Sequence, residues 1–216
     1  MSNADVIKRL TDAKVIAIIR GVAPDRMIPL AKALLDGGVS CMEITFNQSE
    51  EGGSDTICSL EALTEAFKGD ICLGAGTVLT PGQVKSAVGA GALYIISPNT
   101  DAAVIRTANE AGAVSMPGAL TPSEIAAAYQ AGADIVKVFP AGELGVNYIK
   151  AIRAPLAHIP ISAVGGITVQ NAKSFMDAGA CCLGVGGSLV SAGEINEGKF
   201  GAITEAARLF MRAVNS

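Results

Sequence analysis

Residues 134–141 read Asp-Ile-Val-Lys-Val-Phe-Pro-Ala. Ile135, Val136, Val138 and Phe139 are β-branched or aromatic, and Gly132 and Pro140 bound them, which is the pattern of a short buried strand. Lys137 stands in its middle. Leaving water penalises an ammonium, so lysine is rarely buried without a partner. The same penalty lowers its pKa and turns it into an amine nucleophile that can form a Schiff base with a carbonyl. The competing reading is an edge strand whose lysine faces water, and the rest of the chain has to separate the two.

Working outward, a repeat appears. Asp36-Gly37-Gly38-Val39, Gly89-Ala90-Gly91-Ala92, Glu110-Ala111-Gly112-Ala113, Gln130-Ala131-Gly132-Ala133 and Asp177-Ala178-Gly179-Ala180 each end a helix-like run and precede an apolar one. A glycine at that point can adopt the left-handed conformation that closes a helix and turns the chain into a strand. The frame predicts strands at Val15–Arg20, Cys41–Phe46, Cys72–Val78, Tyr94–Pro98, Val114–Pro117, Ile135–Phe139, Pro160–Val164 and Cys182–Val185. Thr80-Pro81-Gly82-Gln83 and Thr121-Pro122-Ser123-Glu124 read as helix starts, with Thr100 and Thr168 as further N-caps. Eight strands alternating with helices predict an α/β fold, a (β/α)8 TIM barrel with a short N-terminal helix over Asn3–Leu10. The alternative is an open doubly wound sheet, which usually has fewer strands and a glycine-rich first turn absent here. Gln48–Ser54 lengthens the loop after the second strand, as a lid or a solvated excursion.

Composition narrows the class. The 216 residues are 50% hydrophobic and 17% charged, enough for a single domain over 1–216 with a large core. Aliphatic runs such as Val15–Ile19 are far too short to cross a bilayer, and no basic-then-apolar leader opens the chain, so no membrane partner is expected. Sixteen Lys and Arg against 20 Asp and Glu leave −4, with no basic stripe, which argues against nucleic acid. Cys41, Cys58, Cys72, Cys181 and Cys182 are odd in number and lack C-x-x-C spacing; they read as core hydrophobes in a reducing cytoplasm. His158 is the single histidine, in a connector before Pro160, so neither a histidine metal cluster nor a serine–histidine relay is expected.

In a barrel, alternate residues point inward and chemistry sits at the C-terminal strand ends. Lys137 shares a face with Ile135 and Phe139. Met42, Ile44 and Phe46 form an apolar trio suited to the helix layer, which places Glu43 inside with Cys41 and Thr45. Thr77 shares a face with Ala75. A carboxylate and an amine in one low-dielectric interior mark either a site or a structural salt bridge, and such pairs are weak stabilisers. Gly165-Gly166 ends the seventh strand and Gly186-Gly187-Ser188 the eighth, where this fold builds phosphate sites from backbone N–H groups and a helix N-terminus. Arg20 is a cation at the same rim.

These segments carry a resemblance. Ile18-Ile19-Arg20-Gly21, Glu43-Ile44-Thr45, Gly74-Ala75-Gly76-Thr77-Val78, Ser97-Pro98, Lys137-Val138-Phe139-Pro140, Gly165-Gly166-Ile167 and Gly186-Gly187-Ser188 resemble, in order and spacing, the 2-keto-3-deoxy-6-phosphogluconate (KDPG) / 4-hydroxy-2-oxoglutarate (KHG) aldolases. The resemblance implies a Schiff-base carbon–carbon lyase without metal or cofactor, usually a homotrimer, acting on a keto-acid. It implies Lys137 as the imine-forming lysine and Glu43 as the proton shuttle. Thr77, Pro98 and Phe139 would line the pyruvate site, and Gly165, Gly166, Gly187 and Ser188 would hold phosphate. Two positions depart from the KDPG pattern: Asn47 replaces an arginine and Val164 a threonine. Both, with Asn99, resemble the 2-keto-3-deoxy-6-phosphogalactonate (KDPGal) branch and shift carboxylate recognition toward Arg20, Thr77 and backbone groups. A phosphate-binding barrel isomerase or decarboxylase, or a non-catalytic sugar-phosphate binder, are the other readings.

Overall fold

A computed structural model describes residues 1–49 and 53–216; the expected loop at Gln48–Ser54 lies partly outside the described residues. Among the described residues nine strands are interspersed with helices: α1 (Asn3–Ala13), β1 (Val15–Ile19), α2 (Pro24–Asp36), β2 (Cys41–Thr45), α3 (Ser54–Phe67), β3 (Cys72–Gly76), α4 (Pro81–Gly89), β4 (Tyr94–Ile96), α5 (Ala102–Glu110), β5 (Val114–Met116), β6 (Gly118–Ala119) and α6 (Pro122–Gln130). Then follow β7 (Val136–Val138), α7 (Ala141–Leu144), α8 (Val146–Arg153), β8 (Ile161–Val164), α9 (Val169–Asp177), β9 (Cys182–Val185), α10 (Ala192–Asn196) and α11 (Phe200–Asn215). All pairings are parallel, in the order β5-β4-β3-β2-β1-β9-β8-β7-β6.

The two ends of that order, β5 and β6, are consecutive in the chain, so Val114–Ala119 completes the ring as one stave. The expected single fifth strand is split at Pro117, which has no N–H to give a ladder. The segment pairs with β4 on one side of the proline and with β7 on the other. The barrel is therefore nearly closed, with eight staves made from nine strands.

The glycine repeat behaves as the sequence predicts. Gly38, Gly91, Gly112, Gly132 and Gly179 have φ of 94, 102, 74, 100 and 104°. In each unit the next residue's N–H reaches back to a carbonyl in the last helical turn, as in Val39 to Leu34 at 2.9 Å and Ala113 to Ala108 at 2.9 Å. Thr80 and Thr121 cap α4 and α6 as expected, each accepting the third residue's N–H. Thr168 stands at the N-cap of α9, where its N–H donates to the Asn171 side-chain oxygen at 2.8 Å while its own hydroxyl makes no cap bond. Thr100 does not cap α5. Asp101 does, because its carboxylate accepts from both Ala103 and Val104 at 2.7 and 3.1 Å, while Thr100 donates to the Gly118 carbonyl.

Strand parity sorts the core into two layers. Met42, Ile44, Phe46, Val136, Val138, Ile161, Ala163, Leu183 and Val185 pack with helix residues outside the barrel. Inside its lower half lie Ile16, Cys41, Cys72, Tyr94, Ile96, Val114, Met116, Ile135 and Cys182, closed from below by Val6 and Leu10 of α1. Arg9 anchors that plug through the carbonyls of Gly69 and Asp70, at 2.9 and 3.0 Å. Three of the cysteines are core hydrophobes as expected, but Cys58 is exposed on α3 and Cys181 is half-buried. Among the described residues no helix is long and apolar enough to cross a membrane.

Candidate active site

With the lower barrel filled by apolar groups, the interior changes character toward the C-terminal strand ends. Lys137 on β7 and Glu43 on β2 project into it, 6% and 2% exposed. Their strands present them inward because their sequence neighbours Val136, Val138, Met42 and Ile44 belong to the outer layer. Burial holds the Lys137 ammonium below the ordinary lysine range, opposed by the Glu43 charge and reinforced by Arg20. Burial likewise pushes the Glu43 carboxyl up, opposed by Lys137 and Arg20. The two form no direct ion pair, and Glu43 Oε2 has no hydrogen-bond partner. A structural salt bridge is therefore not what this pair makes. An amine and a carboxyl with displaced pKa values, buried in one interior within reach of each other's charge but unpaired, suit proton transfer.

Gly76 creates the room for that carboxyl: a Cβ there would overlap Glu43. The Phe139 ring, 40% exposed, covers Lys137 with its centroid 4.9 Å from Nζ. Ser162, in register with Lys137 on β8, is fully buried with an unpartnered hydroxyl, and so is the hydroxyl of Thr45 at 6% exposure. Ser162 escaped the sequence reading; its inward parity beside Lys137 was the available signal.

Two of the clefts at this rim share Arg20. One, of about 420 Å³, is lined by Arg20, Gly21, Thr45, Phe46, Asn47, Gln48, Ser49 and Thr77. The other, of about 330 Å³, lies among Ile18, Arg20, Gly165, Gly166, Thr168, Gly184, Gly186, Gly187 and Ser188. Arg20 lines both, so one guanidinium stands between them. In the first, Arg20 Nη2 donates to Thr77 Oγ1 at 3.4 Å. Thr77 does not arrive there by strand parity. Ala75 belongs to the outer layer, and Thr77 reaches the rim because its own backbone is left-handed, φ 56°. Asn47 accepts the N–H of Ser49 on its side-chain oxygen, 3.1 Å away, so its NH₂ is the group that remains to donate.

The second cleft is a glycine cradle. Gly165 and Gly166 have φ of 89 and 71°, and no protein atom lies within 4 Å of a Cβ built on Gly186 or Gly187. Ser188 ties the two loops together, its hydroxyl donating to the Ile167 carbonyl at 2.6 Å. Bare backbone from two strand ends beside the start of α9 fits a phosphate-sized anion. Val164 is buried below it, its methyls against Gly184. Pro98 lies at the end of β4, outside both linings, and its carbonyl faces Gly118. His158 is exposed and edge-on to Tyr129. Among the described residues no three His, Cys, Asp or Glu side chains gather as metal ligands.

Comparison with known proteins gives one family and several relatives. The sequence model of the KDPG and KHG aldolase family matches residues 6–206. The 2-dehydro-3-deoxy-6-phosphogalactonate aldolase of Escherichia coli is 37% identical over 185 residues, covering 85% of this chain and 88% of its own. A solved native KDPGal structure superposes with a TM-score of 0.83 at 34% identity, over 93% of this chain and 94% of the other. KDPG aldolase from Legionella pneumophila, captured with pyruvate as a covalent carbinolamine, superposes at 0.85 with 28% identity, over 96% and 97%.

Proposed function

The chain belongs to the KDPG and KHG aldolase family, and from that premise we propose that Lys137 and Glu43 cleave a 2-keto-3-deoxy acid, phosphorylated at its far end, to pyruvate and an aldehyde. The protein is a Schiff-base aldolase, a carbon–carbon lyase. KDPG and 4-hydroxy-2-oxoglutarate are the substrates of the primary reading, giving glyceraldehyde 3-phosphate or glyoxylate beside pyruvate. A second reading, 2-keto-3-deoxy-6-phosphogalactonate, is favoured by Asn47, Val164 and Asn99 and by the 37% identical relative. The observation that carries the assignment is a buried lysine held below its ordinary pKa beside an unpaired buried carboxyl.

The neutral Lys137 amine adds to the C2 ketone, and the new alkoxide takes the nitrogen's proton to give a carbinolamine. Protonated Glu43 delivers a proton to that hydroxyl, which leaves as water as the iminium forms. The Glu43 carboxylate then removes the C4 hydroxyl proton. The C3–C4 electrons move into the iminium, releasing the aldehyde and leaving an enamine. Glu43 returns its proton to C3, and hydrolysis by the reverse of the first steps frees pyruvate and Lys137. One carboxyl can act in both senses because burial brings its pKa toward neutrality.

Arg20 and Thr77 bind the keto-acid carboxylate, with Asn47 in the same cleft and Phe139 over Lys137, while the family resemblance alone puts Pro98 at that end. Gly165, Gly166, Gly187 and Ser188 take the phosphate, and Val164 faces the C4 region, where it supplies no hydrogen bond. The enzyme acts in the cytoplasm as a homotrimer, a reading supported by five unpaired cysteines for the compartment and by the family resemblance for the assembly. Light scattering tests the assembly. The substrate test is an aldol-cleavage assay on both C4 epimers of the phosphorylated acid and on 4-hydroxy-2-oxoglutarate. Without a hydroxyl at position 164, the kcat/KM ratio between epimers is expected to stay within about tenfold. Cleavage of none of them overturns the substrate reading.

A further inference from the structure

Three described residues other than glycine have positive φ: Lys14, Lys68 and Thr77. Lys14 and Lys68 close α1 and α3, where a left-handed residue is ordinary. Thr77 closes no helix. It is β-branched, a residue type for which this conformation is an outlier, and it follows β3 directly at the active-site rim. Strain of this kind persists only where the surroundings over-determine it.

Two glutamines reach that backbone. Gln48 Nε2 donates to the Thr77 carbonyl at 2.7 Å. Gln83 Nε2 donates to Gln48 Oε1 at 3.1 Å. Gln83 Oε1 accepts the Leu79 N–H at 2.8 Å, within the cap of α4. The polarity of this relay is fixed from one end. Leu79 can only donate, so Gln83 must present oxygen to it and nitrogen to Gln48; Gln48 then has only its NH₂ left for the Thr77 carbonyl. Beyond Thr77, its hydroxyl accepts from Arg20. The relay thus runs from the first turn of a rigid helix, through two amides, to the guanidinium that stands between the two clefts.

We infer that Gln48 and Gln83 are positioning residues that hold Thr77 left-handed and thereby aim the Arg20–Thr77 pair at the keto-acid carboxylate. The inference rests on the aldolase reading above. Neither glutamine takes part in bond making.

The test is the pyruvate concentration that half-saturates borohydride trapping, measured for the wild type, Gln48→Ala, Gln83→Glu and their combination. Gln83→Glu keeps the acceptor for Leu79 and a good helix cap but removes the donor to Gln48. It should therefore leave thermal unfolding unchanged while raising half-saturation. Each single variant is expected to raise it about two- to tenfold, the scale of one hydrogen bond, with the trapping rate at saturating pyruvate unaltered. Because the two glutamines act in series, the combination should be no worse than Gln48→Ala alone. In a Thr77→Gly background, where left-handed backbone is unstrained, Gln48→Ala should add nothing. Trapping by the wild type with unshifted half-saturation in both single variants, or multiplicative effects in the combination, overturns the inference alone. A wild type that never forms the adduct overturns the aldolase reading itself.

Discussion

The carboxyl of Glu43 occupies the space that a side chain at position 76 would need. In the ladder Glu43 pairs with Gly74 and Gly76 pairs with Thr45, so the Glu43 side chain leans one inward step toward the barrel mouth. A single bare position on β3 thus sets where the Glu43 carboxyl stands. Gly76→Ala should displace it. The expected result is a fall in kcat of about 10²- to 10⁴-fold, the usual scale of a positioned acid–base group, with a stability loss of about 1–3 kcal/mol from overpacking. Steady-state kinetics and denaturant unfolding read the two effects separately.

The pH profile follows from the paired shifts. The competent state of Lys137 and Glu43 holds one proton between them, enough for a neutral amine and an acid to exist in the same pair. Gaining a second proton ends activity on the acid side, and losing the first ends it on the alkaline side. Burial raises Glu43 above 4.5 and lowers Lys137 below 10.5. Both limbs of a bell-shaped kcat/KM profile should therefore fall inside that interval. In Glu43→Gln the alkaline limb should vanish, and residual imine formation should rise with pH to a plateau through a lysine pKa lower still, since the carboxylate that favoured the ammonium is gone. A bell with limbs at the unperturbed values would contradict the burial argument.

The two glycine loops differ in the room they leave for a side chain. At Gly187 an added Cβ has no protein atom within 4 Å, whereas at Gly166 it would stand 2.9 Å from Gly142 on a left-handed backbone. Gly187→Val should therefore raise KM for a phosphorylated substrate, leaving the melting temperature and turnover of 4-hydroxy-2-oxoglutarate nearly unchanged. Gly166→Val should lower stability as well. Equal losses of Gly187→Val on both substrates would mean that this loop shapes the barrel rather than binding phosphate.

At the carboxylate end, Arg20 offers a charged fork, while the oxygen of Asn47 is already used by Ser49. Arg20→Ala should raise the KM for pyruvate in the condensation direction by roughly ten- to a hundredfold, as expected for a hydrogen bond between charged groups. Asn47→Ala should cost less than a tenth of that. A larger effect at Asn47 would move the carboxylate to that amide.

Much of this was legible because strand parity is unforgiving. Lys137 and Glu43 sit between residues that only the helix layer can accept, so their inward direction followed from their neighbours. The helix-ending glycines were equally readable, since each must turn left-handed before an apolar run. Thr77 was placed at the site by the family resemblance and misread by parity, because a left-handed residue after β3 breaks the two-residue period that Ala75 still obeys. Asp101 displaced Thr100 as a cap since either residue type can serve and only the carboxylate reaches two N–H groups. The Gln48–Gln83 relay had no local signal at all: its partners are 35 positions apart and meet only when β2, β3 and α4 are assembled.

The central claim is that Lys137 forms the imine. The direct measurement is incubation with pyruvate and borohydride, followed by peptide mass mapping. The account predicts one reduced three-carbon adduct on Lys137, absent in Lys137→Ala, which should also lose cleavage. An adduct on any other lysine, or undiminished cleavage by the alanine variant, would contradict it.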